Sequence, residues 1–399
     1  MYNIKQITDD LYWVGGNDRR LALFENVYPI PGGVSYNSYV LIDEKTVLLD
    51  TADSAITELF TENVKAALNG RKLDYIIINH MEPDHSASLQ RIADLYPEAR
   101  VVTSAKAKTM IQQYFDFDMS RVDTVSEGDT LTTGRHTLTF VTAPMVHWPE
   151  VLFTFDTTDG TLFSADAFGT FGALGGNIFA DEVNFETEWL PEARRYYTNI
   201  VGKYGPQVQK ALVKAGGLDI RRICPLHGPV WRENIGWFID KYAHWAAYQP
   251  EDKAVVVFVG SVYGHTENAA EVLASAIADE GVRDVRVYDV SVTDASYLVA
   301  EAFRASHLVF ASATYNNEIF TKMEQFLIEL KEHAFRGRTA AVIENGTWAP
   351  QAGKKICAML GEMKDMTILE PQVTIRSAAK ESQRESLVEL AKAVAASVK

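Results

Sequence analysis

The sequence predicts an α/β protein in two parts, an αββα sandwich over residues 1–250 and a doubly wound, five-stranded parallel sheet over 251–399. Three observations carry this. From Ala254 onward, apolar strand-like runs alternate strictly with amphipathic helical stretches, as a parallel sheet covered on both faces requires. Before residue 250, strand-like and helical runs mix without that alternation. Between the halves, residues 246–253 carry Pro250 and several charges but little apolar periodicity, which marks a boundary.

In the first half, β-like runs are read at 38–42, 47–50, 75–78, 100–103, 138–141, 161–164 and 222–224, with a helical stretch at 61–68. In the second, five strands are expected at 254–259, 285–290, 308–313, 340–344 and 367–373. Helices are expected at 268–279 and 381–398. No repeat or low-complexity tract interrupts either half.

A chain of 399 residues is long enough for two cores. Its formal charge of −15 and lack of basic runs exclude nucleic acid and anionic membranes as partners. The amino terminus has no apolar signal core, and no stretch of about 18 apolar residues occurs anywhere. A soluble cytoplasmic protein is expected. Cys224 and Cys357 lie in different halves without a Cys-x-x-Cys partner, so they build no thiolate metal centre and read as buried small hydrophobes.

The chemistry concentrates in His80-Met81-Glu82-Pro83-Asp84-His85, directly after the run 75–78. A loop presents side chains without the alternation of a strand, so two imidazoles and two carboxylates can converge there. Such a donor set, free of thiolate, suits iron, manganese or zinc. His147, Asp166 and His227 each follow another strand-like run and precede a turn, which puts all seven candidate ligands on one rim. Seven exceed the needs of one tetrahedral zinc, but they divide over two metals if one carboxylate bridges.

In the second half, Ser261-Val262-Tyr263-Gly264-His265-Thr266 joins the first strand to a helix. Hydroxyls and glycine at a helix amino terminus suit a phosphate. The absence of Gly-x-Gly-x-x-Gly and of a P-loop lysine disfavours a dinucleotide or triphosphate. Thr314-Tyr315-Asn316-Asn317 and Asn345-Gly346-Thr347-Trp348 follow two further strands, at the sheet edge where open α/β folds bind ligands. The first would meet the edge of an isoalloxazine and the second would lay an aromatic on its face. A packing role for Trp348 is the alternative.

The ligand loop resembles that of the metallo-β-lactamase superfamily, His-x-His-x-Asp-His, with Glu82 in place of the second histidine. His-x-Glu-x-Asp-His is the form found in flavodiiron proteins, and the second half resembles a short-chain flavodoxin domain, which binds FMN. The likeness covers the whole chain. It implies one iron on His80, Glu82 and His147, another on Asp84, His85 and His227, and Asp166 between them. It also implies FMN, reduction of dioxygen to water and/or of nitric oxide to nitrous oxide, and a head-to-tail homodimer or a dimer of dimers. Because the sequence stops after the flavodoxin-like unit, an external donor is expected, rubredoxin-like or another reductase. Glu25, Tyr196 and Tyr197 receive no role from the likeness.

Two rivals differ in class. A dinuclear zinc hydrolase would use a metal-bound hydroxide, and Glu82 and the flavin-sized site speak against it. A non-enzymatic electron carrier or sensor would have no need of a complete ligand set.

Overall fold

A computed structural model describes residues 1–398. The chain forms two compact units, one of Met1–Tyr197 with Tyr204–Ala243, the other of Thr198–Lys203 with His244–Lys399.

The first unit is built on two sheets. The seven-stranded sheet runs Lys5–Gln6, Leu11–Trp13, Tyr39–Ile42, Thr46–Leu49, Tyr75–Ile78, Arg100–Ser104, Val122–Val125. The five-stranded sheet runs Thr130–Thr132, Thr137–Thr142, Leu152–Asp156, Thr161–Phe163, Arg222–Cys224. Val47, Leu49, Ile77 and Val102 of the first pack with Leu138, Phe140, Leu152, Phe163 and Cys224 of the second in one core. Leu48, Ile76 and Ile78, on the opposite face, are equally buried. That double burial explains why the run at 75–78 is apolar throughout rather than alternating. The helix predicted at 61–68 spans Thr57–Leu68 and ends on left-handed Asn69, a residue that tolerates this conformation.

The second unit has the parallel order Val285–Asp289, Asp252–Gly260, Ala305–Tyr315, Thr339–Asn345, Thr367–Ile368. Along its first strand, Ala254, Val256 and Phe258 enter one core, shared with residues of helices Ala295–Arg304, Thr321–Glu332 and Ala352–Gly361. Val255, Val257 and Val259 enter another, shared with His265–Asp279 and Glu381–Val398. The chain leaves Asp252–Gly260 toward one side of the sheet and Ala305–Tyr315 toward the other, so a crevice opens between the loops that follow them. One expected strand differs. Residues 367–373 divide into Thr367–Ile368 and Val373–Ile375, both paired with Thr339–Asn345, and Pro371, which has no N–H to donate, lies in the break.

Among the described residues, no helix is long and apolar enough to cross a membrane.

Candidate metal centre and cofactor pocket

The four loops of the first unit bring all seven predicted ligands together. Tyr75–Ile78 delivers His80 and then the short helix Pro83–Ser86, which has proline where a helix needs no N–H. His147 follows Thr137–Thr142, Asp166 follows Thr161–Phe163, and His227 follows Arg222–Cys224.

His80, Glu82, His147 and Asp166 place one donor atom each within 4.8 Å of one another, and so do Asp84, His85 and His227. Asp166 faces both groups. Its Oδ2 lies 3.2 Å from the Nε2 of His80 and of His147, and its Oδ1 lies 3.0 Å from His85 Nε2 and 3.7 Å from His227 Nε2. Glu82 Oε2 closes the first group at 3.2 and 3.0 Å from the same His80 and His147 nitrogens. Asp84 Oδ2 closes the second at 3.3 and 3.2 Å from His85 and His227.

These atoms satisfy one another poorly. His85 and His227 oppose two ring nitrogens at 3.1 Å. Both Asp84 oxygens and Asp166 Oδ1 are buried without a hydrogen-bond partner. Buried, unpaired carboxylate oxygen is costly in a protein interior, whereas a cation takes several such lone pairs at once. The donor set therefore fits a pair of metal ions bound through nitrogen and oxygen.

The electrostatics agree. Burial opposes a charge on His80, yet Asp166, Glu150 and Glu82 push its pKa well above the imidazole range. His147, also against burial, is raised to about 9 by Asp166 and Glu82. Burial raises the carboxylates, but the histidines outweigh it and hold Glu82 and Asp166 below their usual range. Protons and a metal ion compete here for the same lone pairs.

Supporting residues that no motif announced fix these ligands. Asp50 accepts from the backbone N–H of Asn79 at 2.7 Å and of His80 at 3.2 Å, and from Asn79 Nδ2 at 2.7 Å. Burial nonetheless lifts its pKa to about 6. His227 Nδ1 donates to the Ser35 carbonyl at 2.7 Å, and His80 Nδ1 to Glu150 Oε1 at 2.7 Å. Gly228 follows His227 with φ of 74°, and a Cβ there would stand 2.0 Å from Thr170 Cγ2. Trp148 meets His80 edge-on, while Phe24, Tyr36 and Tyr196 surround His227.

The residues left without a role divide. Glu25 is solvent-accessible at the rim, in a hairpin turn with φ of 51°. Although the residue as a whole is exposed, its carboxyl meets Glu82, and lost hydration at that contact together with the Glu82 charge raises its pKa. Tyr196 is fully buried against His227, its hydroxyl without a hydrogen-bond partner, and burial with the nearby carboxylates keeps it protonated. The Tyr197 ring instead packs on Tyr242, 4.7 Å between centroids.

A different histidine stands at the other end of these sheets. His136 Nδ1 lies 2.5 Å from Asp156 Oδ2, and its Nε2 lies 2.9 Å from Asp10 Oδ2. His136, Asp156 and Asp159 also come within ligand distance of one another. Both His136 nitrogens already face carboxylates, however, with Arg135 Nη2 2.8 Å from Nε2, and the two carboxylates raise its pKa against burial.

In the second unit a cavity of about 450 Å³ opens at the crevice. Its wall takes in Ser261, Val262, Tyr263, His265 and Thr266, then Thr314, Tyr315, Asn316 and Asn317, then Asn345, Gly346, Thr347 and Trp348. Gly264 is not on the wall. It adopts φ of 85° at the helix start, and its N–H donates to Ser261 Oγ at 3.0 Å. No side chain caps helix His265–Asp279, which leaves its first N–H groups for an anion. Asn316 and Asn317, both at positive φ, make the two-residue turn that folds Glu318–Ile319 back on Ala305–Tyr315. Asn345 ties the loops together, Nδ2 donating to Thr266 Oγ1 at 3.3 Å and to Ser377 O at 2.9 Å. Ala313 and Ala349, neighbours of those residues in the same two loops, also line the cavity, and so does Ser377, which escaped the sequence reading. Tyr263 and Trp348 are 89% and 88% exposed, so their rings pack into no core.

Residues 34–228 match the profile described as ODP family beta lactamase, and 257–389 match Flavodoxin. The chain is 32% identical over 359 residues to the anaerobic nitric oxide reductase flavorubredoxin of Vibrio vulnificus, covering 89% of this chain and 72% of that one. Among solved structures it resembles rubredoxin oxygen:oxidoreductase from Desulfovibrio gigas, with TM-score 0.91, 27% identity and coverage of 99% and 98%. It likewise resembles the flavodiiron protein from Giardia intestinalis, with TM-score 0.92, 26% identity and coverage of 100% and 98%.

Proposed function

The chain belongs to the flavodiiron proteins, and from that membership we propose an oxidoreductase that reduces dioxygen to water, nitric oxide to nitrous oxide, or both. One observation carries the reading: Asp166 turns its two carboxylate oxygens to two complete ligand groups.

His80, Glu82 and His147 would hold one iron, Asp84, His85 and His227 the other, and Asp166 both. The pocket of the second unit would hold FMN, with Ser261, Thr266 and the uncapped helix start on the phosphate and the Trp348 and Tyr263 rings beside the isoalloxazine. When bound, the irons supply electrons and open positions for a diatomic gas, and the flavin supplies electrons it can release singly. Around the ligands, Trp148, Phe24 and Tyr36 keep water off the imidazoles. Both reductions consume protons, and two side chains able to carry one lie beside the ligands, Glu25 against Glu82 and the buried Tyr196 hydroxyl near His227. The metal site thus falls within 1–250 and the flavin site within 251–399. A rubredoxin-like carrier or another reductase would deliver electrons, and the working assembly would be a homodimer or a pair of them.

Metal analysis with a visible spectrum tests this directly. Two irons and one FMN per chain, with consumption of either gas under a reduced donor, are expected. Two zinc ions without gas consumption would instead favour hydrolysis. For the flavin alone, Thr266→Asp sets a charge against the phosphate, and FMN affinity should fall about tenfold or more. Unchanged affinity would remove the phosphate from that loop.

A further inference from the structure

We infer that Glu150 makes the two metal positions unequal, acting as a positioning residue on His80 alone. The inference rests on the two-metal reading above. Taken by their direct donors, the positions match: each has two imidazoles, one carboxylate of its own and one oxygen of Asp166. Any difference in how strongly they hold and polarise a metal has to come from the layer behind.

That layer is lopsided. His80 Nδ1 donates to the Glu150 carboxylate at 2.7 Å. His227 Nδ1 donates to a neutral carbonyl, Ser35 O, at the same distance. His85 Nδ1 is buried and finds no acceptor. Among the described residues, His80 is the one ligand histidine whose Nδ1 meets a carboxylate. Glu150 is fixed for the task, its side chain fully buried. Its Oε1 also accepts from Met81 N at 2.9 Å, and its backbone carbonyl accepts from Ser104 Oγ at 2.9 Å. Its Oε2 is buried with no partner, so both hydrogen bonds that the carboxylate accepts, from His80 Nδ1 and Met81 N, fall on Oε1.

A carboxylate behind an imidazole sets the tautomer, leaves Nε2 as the metal donor and makes it a stronger one. The metal on His80, Glu82 and His147 is therefore held more tightly, and its higher oxidation state is better stabilised, than the metal on Asp84, His85 and His227.

The test loads the full-length protein with iron-57 and compares parent with Glu150→Gln, which keeps size and removes charge. Release of each iron to a chelator is followed, and Mössbauer spectra of the oxidised proteins are recorded. The parent is expected to release its irons at two rates and to show two distinct doublets. In Glu150→Gln the slower iron should leave about tenfold faster or more, the two rates should approach each other, and the doublets should converge. Glu150→Asp, which keeps the charge but withdraws it, should fall between, and a far-UV spectrum like the parent's checks folding of both. Equal loosening of both irons, or an unchanged variant, overturns the inference. A parent that takes up no pair of irons overturns the two-metal reading instead.

Discussion

At one end of the paired sheets, His80, His85, His147 and His227 turn Nε2 toward shared carboxylates. At the other, His136 turns both nitrogens toward Asp10 and Asp156. A single strand, Thr137–Thr142, separates the two uses, with His136 before it and His147 after. The same residue type, equally buried, thus offers lone pairs at one end and protons at the other. What decides is whether the neighbouring acceptors are satisfied. Around the proposed metal centre, Asp84 and Asp166 keep oxygens without a donor. Around His136, Asp10 also meets Arg135 and Thr8, Asp156 accepts from Thr158 N, and Asp43 accepts from the His136 N–H.

The largest effect should come from His147→Ala. Opening one ligand group should lower gas consumption by more than about 100-fold, while the donor still reduces the flavin in the other unit. Anaerobic bleaching of the flavin band with gas electrodes reads both. Consumption at the parent rate would move turnover to the flavin and dissolve the contrast.

His136→Asn should do the reverse. Two carboxylates lose their shared imidazolium, and the first unit should lose about 2 kcal/mol, discounted because Asp10 reaches the surface. Urea unfolding measures this, and the iron content of the folded variant should stay at the parent's level. A variant that keeps the parent's urea midpoint but loses iron would make His136 a metal ligand after all.

Glu82→His sharpens the metal end alone. Exchanging an anionic oxygen for a neutral nitrogen removes charge that favours iron, so iron content relative to zinc should fall several-fold when both are offered together. An unchanged ratio would show that Glu82 does not select the metal.

The smallest effect is one of pH. Burial works against the His136 charge, but Asp10 and Asp156 raise its pKa above 6.5. A raised folded-state value contributes stability that is fully present below the unfolded value and is lost as pH rises through the folded one. The parent's urea midpoint should therefore decline as pH rises above 6.5, and the difference between parent and His136→Asn should shrink over the same range. A difference constant with pH would mean that His136 is neutral throughout.

The two ends also differ in how much of them could be read beforehand. The proposed ligands stood out because metal chemistry restricts residue type, and each followed a strand that its own apolar run announced. The parallel sheet was legible because both faces are buried, which removes alternation from its strands. His136 gave no such signal, since its partners Asp10 and Asp156 are distant in sequence and isolated carboxylates are common. Glu150 and Ser35 were hidden for a related reason, in that a supporting bond needs only an acceptor, and every residue has one in its backbone. The break at Pro371 could have been read, because proline cannot donate within a strand.

Gly228 carries a consequence for how this chain can drift. A side chain there meets two obstacles, the Thr170 methyl and a backbone twist that only glycine adopts freely. Saturation of codon 228 should return glycine alone in any selection that demands a working His227. Trimming Thr170 to serine clears the methyl but leaves the twist, so a residue that tolerates positive φ, such as asparagine, is expected to survive only in that altered background. The order of the two changes then matters: serine at 170 must come first, and the reverse path passes through a chain that selection discards.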